Sequence, residues 1–322
     1  MKSKMFLLST LVLLPLALAS CGSSKTKIGI LQFGSFEALE RAKQGFVDVL
    51  SKSELADKIE IDVKNAVADS ANNSSMAATL AANSDLVYGV ATPSASALKN
   101  AVDSINSSAP VLFSAVTNAI GANLLKNAEA PEGNCTGVLD IGPIERELEI
   151  ITSFEGVDKI VSFYTATEVN SVFQVDIAEN WMREHNIEFD RKTITNASEI
   201  TSAFASISSD VDAVFLPTDD TIANSIGVIK NANDARTDKL YIVGSDTGMK
   251  DGTTFSMGVD YYQCGVQAGQ MALAILKDGK EIKNIPVETC DQTNIIINKT
   301  WTESLGLSIP ESVLSLEGAI II

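Results

Sequence analysis

Short apolar, β-branched runs recur along the chain and alternate with longer stretches in which apolar residues return every three or four positions. The runs predict strands at 27–33, 58–64, 85–90, 110–115, 158–164, 212–217, 240–244 and 254–259. The periodic stretches predict helices at 37–50, 94–102, 170–184, 221–232 and 261–277. Strands that are apolar along their whole length belong to sheets covered on both faces, so the pattern predicts an α/β fold of doubly wound parallel sheets. Glu145, Glu147 and Glu149 alternate with Arg146 and Leu148 and read as an exposed, solvated helix start.

The order of runs occurs twice. Lys27, Ile28, Gly29 and Ile30 open one half, and Lys159, Ile160, Val161 and Ser162 open the other. Asp85 starts a run (DLVYGVAT) that has its counterpart at Asp212 (DAVFLPT), at a similar spacing from each opening. The run from Pro110 to Thr117 then matches that from Leu240 to Thr247. Two similar α/β lobes in tandem follow. In such sheets ligands bind beyond the carboxyl ends of the strands, where loops lead into helix N-termini. The turns holding Thr92 and Ser94, Asn170 and Ser171, Thr218 and Asp219, and Asp246 fall at those ends. Each offers capping side chains and unpaired N–H groups that hold an anion without arginine.

The N-terminus follows a different rule. Two lysines precede a stretch of about fourteen apolar residues, which is short of the roughly 20 needed to span a bilayer as a helix. A basic start, an apolar core and the small residues Ala19 and Ser20 before Cys21 read as a secretory signal over 1–20 with a lipobox. Cys21 is the expected lipidation site, taking a diacylglycerol, with 21–26 as a tether. No later stretch has the length and apolarity of a membrane span, so the lipid is the expected membrane anchor on the outer face of a bacterial cell membrane.

Composition narrows the chemistry. The 322 residues carry 24 Lys plus Arg against 41 Asp plus Glu, a formal net charge of −17. That balance argues against a nucleic-acid partner, whose phosphates require a basic footprint. The single histidine, His185, removes the usual hydrolase triads and His-rich zinc sites. Nucleotide-binding loops, nucleophile elbows and zinc helices are absent from the sequence. Asp219 and Asp220 read as a helix cap rather than a metal pair. Three cysteines remain beyond Cys21, at 135, 264 and 290; they make no disulfide framework, although one bridge is possible. No catalytic residue, metal site or cofactor is expected.

The residues also carry a resemblance. It runs over about 27–307 through Ile28 to Gln32, Glu37 to Leu39 with Gly45 and Phe46, Ala91 to Pro93, Phe113 to Thr117 and Gly121. It continues through Asn134 to Gly137, Asn170 and Ser171, Leu216 to Asp219, Ser245 to Thr247, and Gly258 to Tyr262 with Gly265, Gly269, Met271 and Ala272. On these the chain resembles the substrate-binding lipoproteins of ABC transporters associated with tryptophan and tyrosine, of periplasmic-binding-protein-like type I fold. The resemblance implies interleaved lobes, 27–143 plus 262–290 and 144–261 plus 291–322, with the crossings as hinge.

It also implies an amino-acid ligand, such as tryptophan or tyrosine, held between the lobes and passed to an ABC permease with its ATPase. Asp219 and Asp246 are then the expected ammonium partners. Thr92, Ser94, Asn170 and Ser171 face the carboxylate, and Thr117 and Thr218 complete the rim. Phe33, Phe36 or Tyr261 supplies a flat surface for the side chain. The loop Phe33, Gly34, Ser35, Phe36 departs from the family's usual pattern, and it is expected to touch the ligand. Two other readings stay open: a sensing surface lipoprotein without transport, and a nucleoside or sugar receptor of the same fold.

Overall fold

The computed structural model describes residues 25–131 and 133–322. The expected signal segment 1–20, lipidation at Cys21 and the first part of the tether lie outside them. The first half of the chain builds β1 (Thr26–Gln32), α1 (Glu37–Ser51), β2 (Ile59–Asn65), α2 (Ser70–Asn83), β3 (Leu86–Val90), α3 (Thr92–Ser104), β4 (Val111–Val116) and β5 (Cys135–Leu139). The second continues with α4 (Ile144–Thr152), β6 (Lys159–Thr165), α5 (Val169–Glu184), β7 (Glu188–Ile194), α6 (Ile200–Ala205), β8 (Ala213–Leu216), α7 (Asp220–Asn224) and α8 (Ile226–Ala235). After β9 (Tyr241–Gly244) and β10 (Phe255–Val259) come α9 (Tyr261–Leu276), β11 (Glu288–Thr289), β12 (Thr293–Ile297), α10 (Lys299–Ser304), α11 (Glu311–Leu314) and β13 (Ala319–Ile321).

Two sheets result. One has the order β11-β5-β4-β3-β1-β2 and is parallel throughout. The other has the order β13-β12-β10-β9-β8-β6-β7 and is parallel except where β12 runs against β10. The fold class is α/β, as the alternation of runs implied. The internal repeat has a bonding signature: Asp85 accepts from the Lys27 N–H at 2.8 Å, and Asp212 accepts from the Lys159 N–H at 2.9 Å. Each aspartate pins the start of the first strand of its own lobe.

Helix α9 packs along α1, so a segment late in sequence covers the first sheet. The seam is made of small residues. A Cβ on Gly45 would strike the Tyr262 carbonyl oxygen, and one on Gly265 the Ala42 carbonyl oxygen. Phe46 and Tyr88 stack beneath it with ring centroids 3.9 Å apart. The chain passes between the sheets at 140–143, at Asp260 and at 290–292. These passages are bonded to one another, the Asp260 N–H donating to Gln292 O at 2.7 Å and the Cys290 N–H to Leu139 O at 2.9 Å.

Several elements depart from the sequence expectation. The helix expected over 221–232 divides at Ser225 into α7 and α8. Strands β5, β7, β11, β12 and β13 and helix α2 were not among the expected elements. Glu147 is a correction. The helix start at 145–149 was expected to be solvated, yet Glu147 is fully buried, because Ile144, Glu147, Leu148 and Ile151 share one face of α4. Among the described residues no helix is long and apolar enough to cross a membrane.

Candidate functional site

The carboxyl ends of both sheets face one cleft. Its deepest part is an inner pocket of about 30 Å³, enough for one or two waters. It opens into an outer cavity of about 610 Å³, with Phe36, Thr92, Pro93, Asn170 and Asp220 lining both. A third recess of about 310 Å³ meets the inner pocket at Ala38, Asp246 and Tyr261.

Two alanines of the inner pocket carry backbone strain. Ala91 has φ +83° and Ala115 φ +55°, in the region that side chains other than glycine seldom occupy. At Ala91 this turns the chain sharply from β3 into α3. Thr92 is therefore the first residue inside the helix rather than its cap, with Pro93 next to it.

Carboxylates dominate the walls. Asp140, Asp219, Asp220 and Asp246 all line the inner pocket, and no Lys, Arg or His does. Glu168 lines the outer cavity, which also lacks basic residues. Asp140 accepts from Thr117 Oγ1 at 2.8 Å and from the Tyr261 hydroxyl at 3.1 Å, and burial nonetheless pushes its pKa up to about 6. Glu168 accepts from the Asp220 N–H at 2.9 Å and Thr221 Oγ1 at 3.0 Å. Burial, then the charge of Asp219, pushes it up to about 7. Asp220 is raised well above the usual carboxylate range by burial and by Glu168. Asp246 is raised too, chiefly by burial, while the Gly248 N–H at 2.7 Å opposes the shift.

Asp219 is committed to the protein itself. It caps α7 through the Ile222 N–H at 2.9 Å and accepts from the Thr165 N–H at 2.7 Å, from Thr165 Oγ1 at 3.0 Å and from Ser171 Oγ. Its acceptor sites are filled by the protein. Basic groups nearby are already engaged: Arg41 pairs with Asp260 at 3.2 Å, and Lys250 lies 3.9 Å from Glu37.

The structure brings most of the sequence-derived candidates to the cleft. Phe33 and Phe36 are half-buried at its mouth, and Thr92, Thr117, Asn170, Thr218, Asp219, Asp246 and Tyr261 line its cavities. Three candidates lie elsewhere. Ser94 is fully buried and donates to Asn73 Oδ1 at 2.9 Å, on the side of α3 that faces α2. Ser171 is fully buried and is spent on Asp219. Ser35 is exposed and accepts from Asn65 Nδ2 at 2.9 Å. The expected flat surface of Tyr261 is turned into the first core, with its hydroxyl tied to Asp140.

Other residues were missed. Asp140 follows a strand the sequence pattern did not mark, and Glu168 and Asp220 read only as parts of turns. Gln174, fully buried on α5, accepts from the Thr218 N–H at 2.9 Å and donates to Thr117 Oγ1 at 3.3 Å across the cleft. Its position two turns from a cap carried no sequence signal.

Comparison with known proteins adds to this geometry. The family model described as ABC transporter substrate binding protein matches residues 27–321. A curated tyrosine-binding protein of Clostridioides difficile (strain R20291) is 35% identical over 291 residues, covering 88% of this chain and 82% of that protein. The solved structure of an ABC domain in complex with L-Trp from Streptococcus pneumonia is 33% identical, with a TM-score of 0.84 over 93% of this chain and 100% of that one. The ligand-free, open structure of a Clostridium difficile substrate binding protein with adhesive properties is 30% identical. It gives a TM-score of 0.72 over 92% of this chain and 99% of its own.

Proposed function

The chain belongs to the ABC transporter substrate-binding protein family, on the type I periplasmic-binding-protein fold, and from that premise we propose that its cleft captures an aromatic amino acid, tryptophan or tyrosine. The family binds solutes outside the cytoplasm and is not enzymatic. The observation that carries the proposal is the wall of Asp140, Asp220 and Asp246 around a pocket without a basic side chain, beneath two half-buried phenylalanines. Such a wall needs a cation, and an ammonium group is one of the right size. The relatives that are named for tyrosine or solved with L-Trp support the same ligand class.

In this reading the ammonium meets Asp220 and Asp246, whose carboxylates retain unused acceptor capacity. Asp219, filled by its four donors, holds the loop in place instead. The ligand carboxylate meets the N–H groups of Thr92, first in α3, and Asn170, second in α5, where the helix dipoles are positive. Its ring lies against Phe33 and Phe36. A ring group burying about 150–250 Å² contributes roughly 4–6 kcal/mol at about 25 cal/mol/Å². Micromolar affinity needs about −8 kcal/mol, so the two charged ends supply the remainder.

The lobes then close on the ligand and present it to a membrane permease driven by an ATPase, with the receptor held at the membrane by lipid on Cys21. The higher TM-score against the L-Trp complex than against the open, ligand-free relative supports a closed arrangement of the lobes. Calorimetry with L-tryptophan, L-tyrosine, L-leucine and ribose tests the reading. Tryptophan or tyrosine is expected to bind most tightly, and tighter binding of leucine or ribose, or heat from none of the four, overturns it.

A further inference from the structure

Cys264 and Cys290 meet where the chain passes between the lobes. Cys264 is the fourth residue of α9 and is fully buried; Cys290, just after β11, is 7% exposed between the exposed residues Thr289 and Asp291. Both reach one acceptor, the Asp260 carbonyl oxygen, the Cys264 N–H at 3.0 Å and the Cys290 Sγ at 3.4 Å, and both pack in the first core. Around Cys290 the three passages converge. Its N–H holds Leu139 O at 2.9 Å, at the start of the first passage. Its Sγ donates to the Asp260 carbonyl, the second passage, at 3.4 Å, and it begins the third itself. Cys135 is buried in a separate core cluster, on β5 among Leu98, Val102 and Val111.

We propose that Cys264 and Cys290 form a reversible disulfide that ties α9 to the third passage. The family works outside the cytoplasm, where disulfides form and persist. The reaction needs an external disulfide as oxidant, R–S–S–R, of the oxidised-glutathione or thiol-oxidoreductase class. The Cys290 thiolate attacks one sulfur of the oxidant, forming Cys290–S–S–R and expelling R–S⁻. The Cys264 thiol then loses its proton and attacks the Cys290 sulfur, breaking the Cys290–S–S–R bond and expelling a second R–S⁻. The two cysteines lose two electrons, the oxidant gains them, and the two thiol protons leave with the two R–SH products.

The local chemistry favours that order of attack. The neighbouring Cys264 thiol draws the Cys290 thiol below its usual pKa, while burial drives that of Cys264 up. Cys290 also lies on the exposed segment an oxidant reaches first. The resulting bond cross-links the last helix of the first lobe to the strand leaving it, and restricts the passages about which the lobes move.

The test uses the purified, folded protein and oxidised glutathione, followed by alkylation and peptide mass spectrometry. The expected product is a linked pair of peptides holding Cys264 and Cys290, with Cys135 the one thiol of the three left to alkylate. The unfolding midpoint should rise by a few degrees and return on reduction. The link should persist in Cys135→Ser, and Cys264→Ser should stop at a glutathione adduct on Cys290. If either variant fails to fold, peptide mapping of the parent protein decides. Three alkylatable thiols after oxidation, or a link through Cys135, overturns the proposal.

Discussion

Gln174 on α5 donates to Thr117 Oγ1 at 3.3 Å, joining one lobe to the other across the floor of the cleft. The bond belongs to a chain that runs from the Thr218 N–H through Gln174 and Thr117 to Asp140, which also accepts from the Tyr261 hydroxyl. Opening the lobes breaks the Gln174–Thr117 link, so the link favours the closed form. Gln174→Ala is expected to weaken tryptophan binding about fivefold or more, in line with the roughly 1 kcal/mol net worth of a hydrogen bond. Titration calorimetry checks this, and unchanged affinity would separate Gln174 from closure.

Ligand binding should depend on pH with a definite sign. Asp140 at about 6 and Glu168 at about 7 are held partly protonated by burial in the ligand-free cleft. An ammonium entering among them favours the ionised forms, so it lowers those pKa values and expels protons. Affinity should therefore rise as pH increases through about 6 and 7. Calorimetry in buffers of different ionisation enthalpy should register net proton release at pH 6.5, or thereabouts, and proton uptake there would contradict the ammonium's position.

The adjacent aspartates should separate by phenotype. Asp220 is repelled by Glu168, whereas Asp219 is satisfied by four donors. Asp220→Asn is expected to raise the unfolding midpoint of the ligand-free protein while weakening amino-acid binding roughly 10- to 100-fold, the range for a charge-assisted bond. Asp219→Asn should lower the midpoint, by about 1–3 kcal/mol of stability, through the lost cap and the unpaired Thr165 N–H. Asp246→Asn should weaken binding with little change in midpoint. Equal effects of all three on melting and on binding would remove the distinction drawn between them.

Much of this was legible in the sequence, and the limits have physical causes. Strands β1, β3, β4, β6, β8, β9 and β10, buried along all or nearly all of their length, announce themselves as apolar runs. Edge strand β7 (EFDRKTI) is half solvent-facing and looks like a loop, and α2 is masked by its serines and asparagines. The caps Asp219 and Asp246 could be read from residue type and position. Asp140 and Gln174 could not, because their roles come from partners far along the chain. Ser94 and Ser171 were misplaced for a related reason: a helix N-terminus faces the cleft, but its third residue has already turned away.

Glu147 gives stability an unusual pH profile. It is fully buried, bonded to Ser245 Oγ, with Oε1 lacking a partner, and burial pushes its pKa up to about 8. A carboxyl raised from 4.5 contributes stability that is complete below about pH 4.5 and is lost as pH rises through about 8. Glu147→Gln keeps the shape and a hydrogen-bonding group but does not ionise. Its unfolding midpoint should fall less than the parent's between about pH 6 and pH 9, and exceed it at the alkaline end. Parallel melting curves across that range would mean that the carboxyl does not titrate in the folded protein.

The seam between α1 and α9 should tolerate no added methyl group. A Cβ on Gly265 would overlap the Ala42 carbonyl oxygen, which belongs to a helix and cannot rotate away as a side chain would. The helices would have to part, loosening Phe46 and the other core residues beneath them. Overpacking of this kind costs about 1–3 kcal/mol or more, and here it also shifts the helix that leads out of the second passage. Gly227 is the contrast. It lies in α8 with open space where its Cβ would be, so Gly227→Ala should stabilise by about 0.5–1 kcal/mol through helix propensity alone. Thermal melts of the two variants are expected to move in opposite directions. A Gly265→Ala midpoint at or above that of the parent would show that the two helices are not held in close contact.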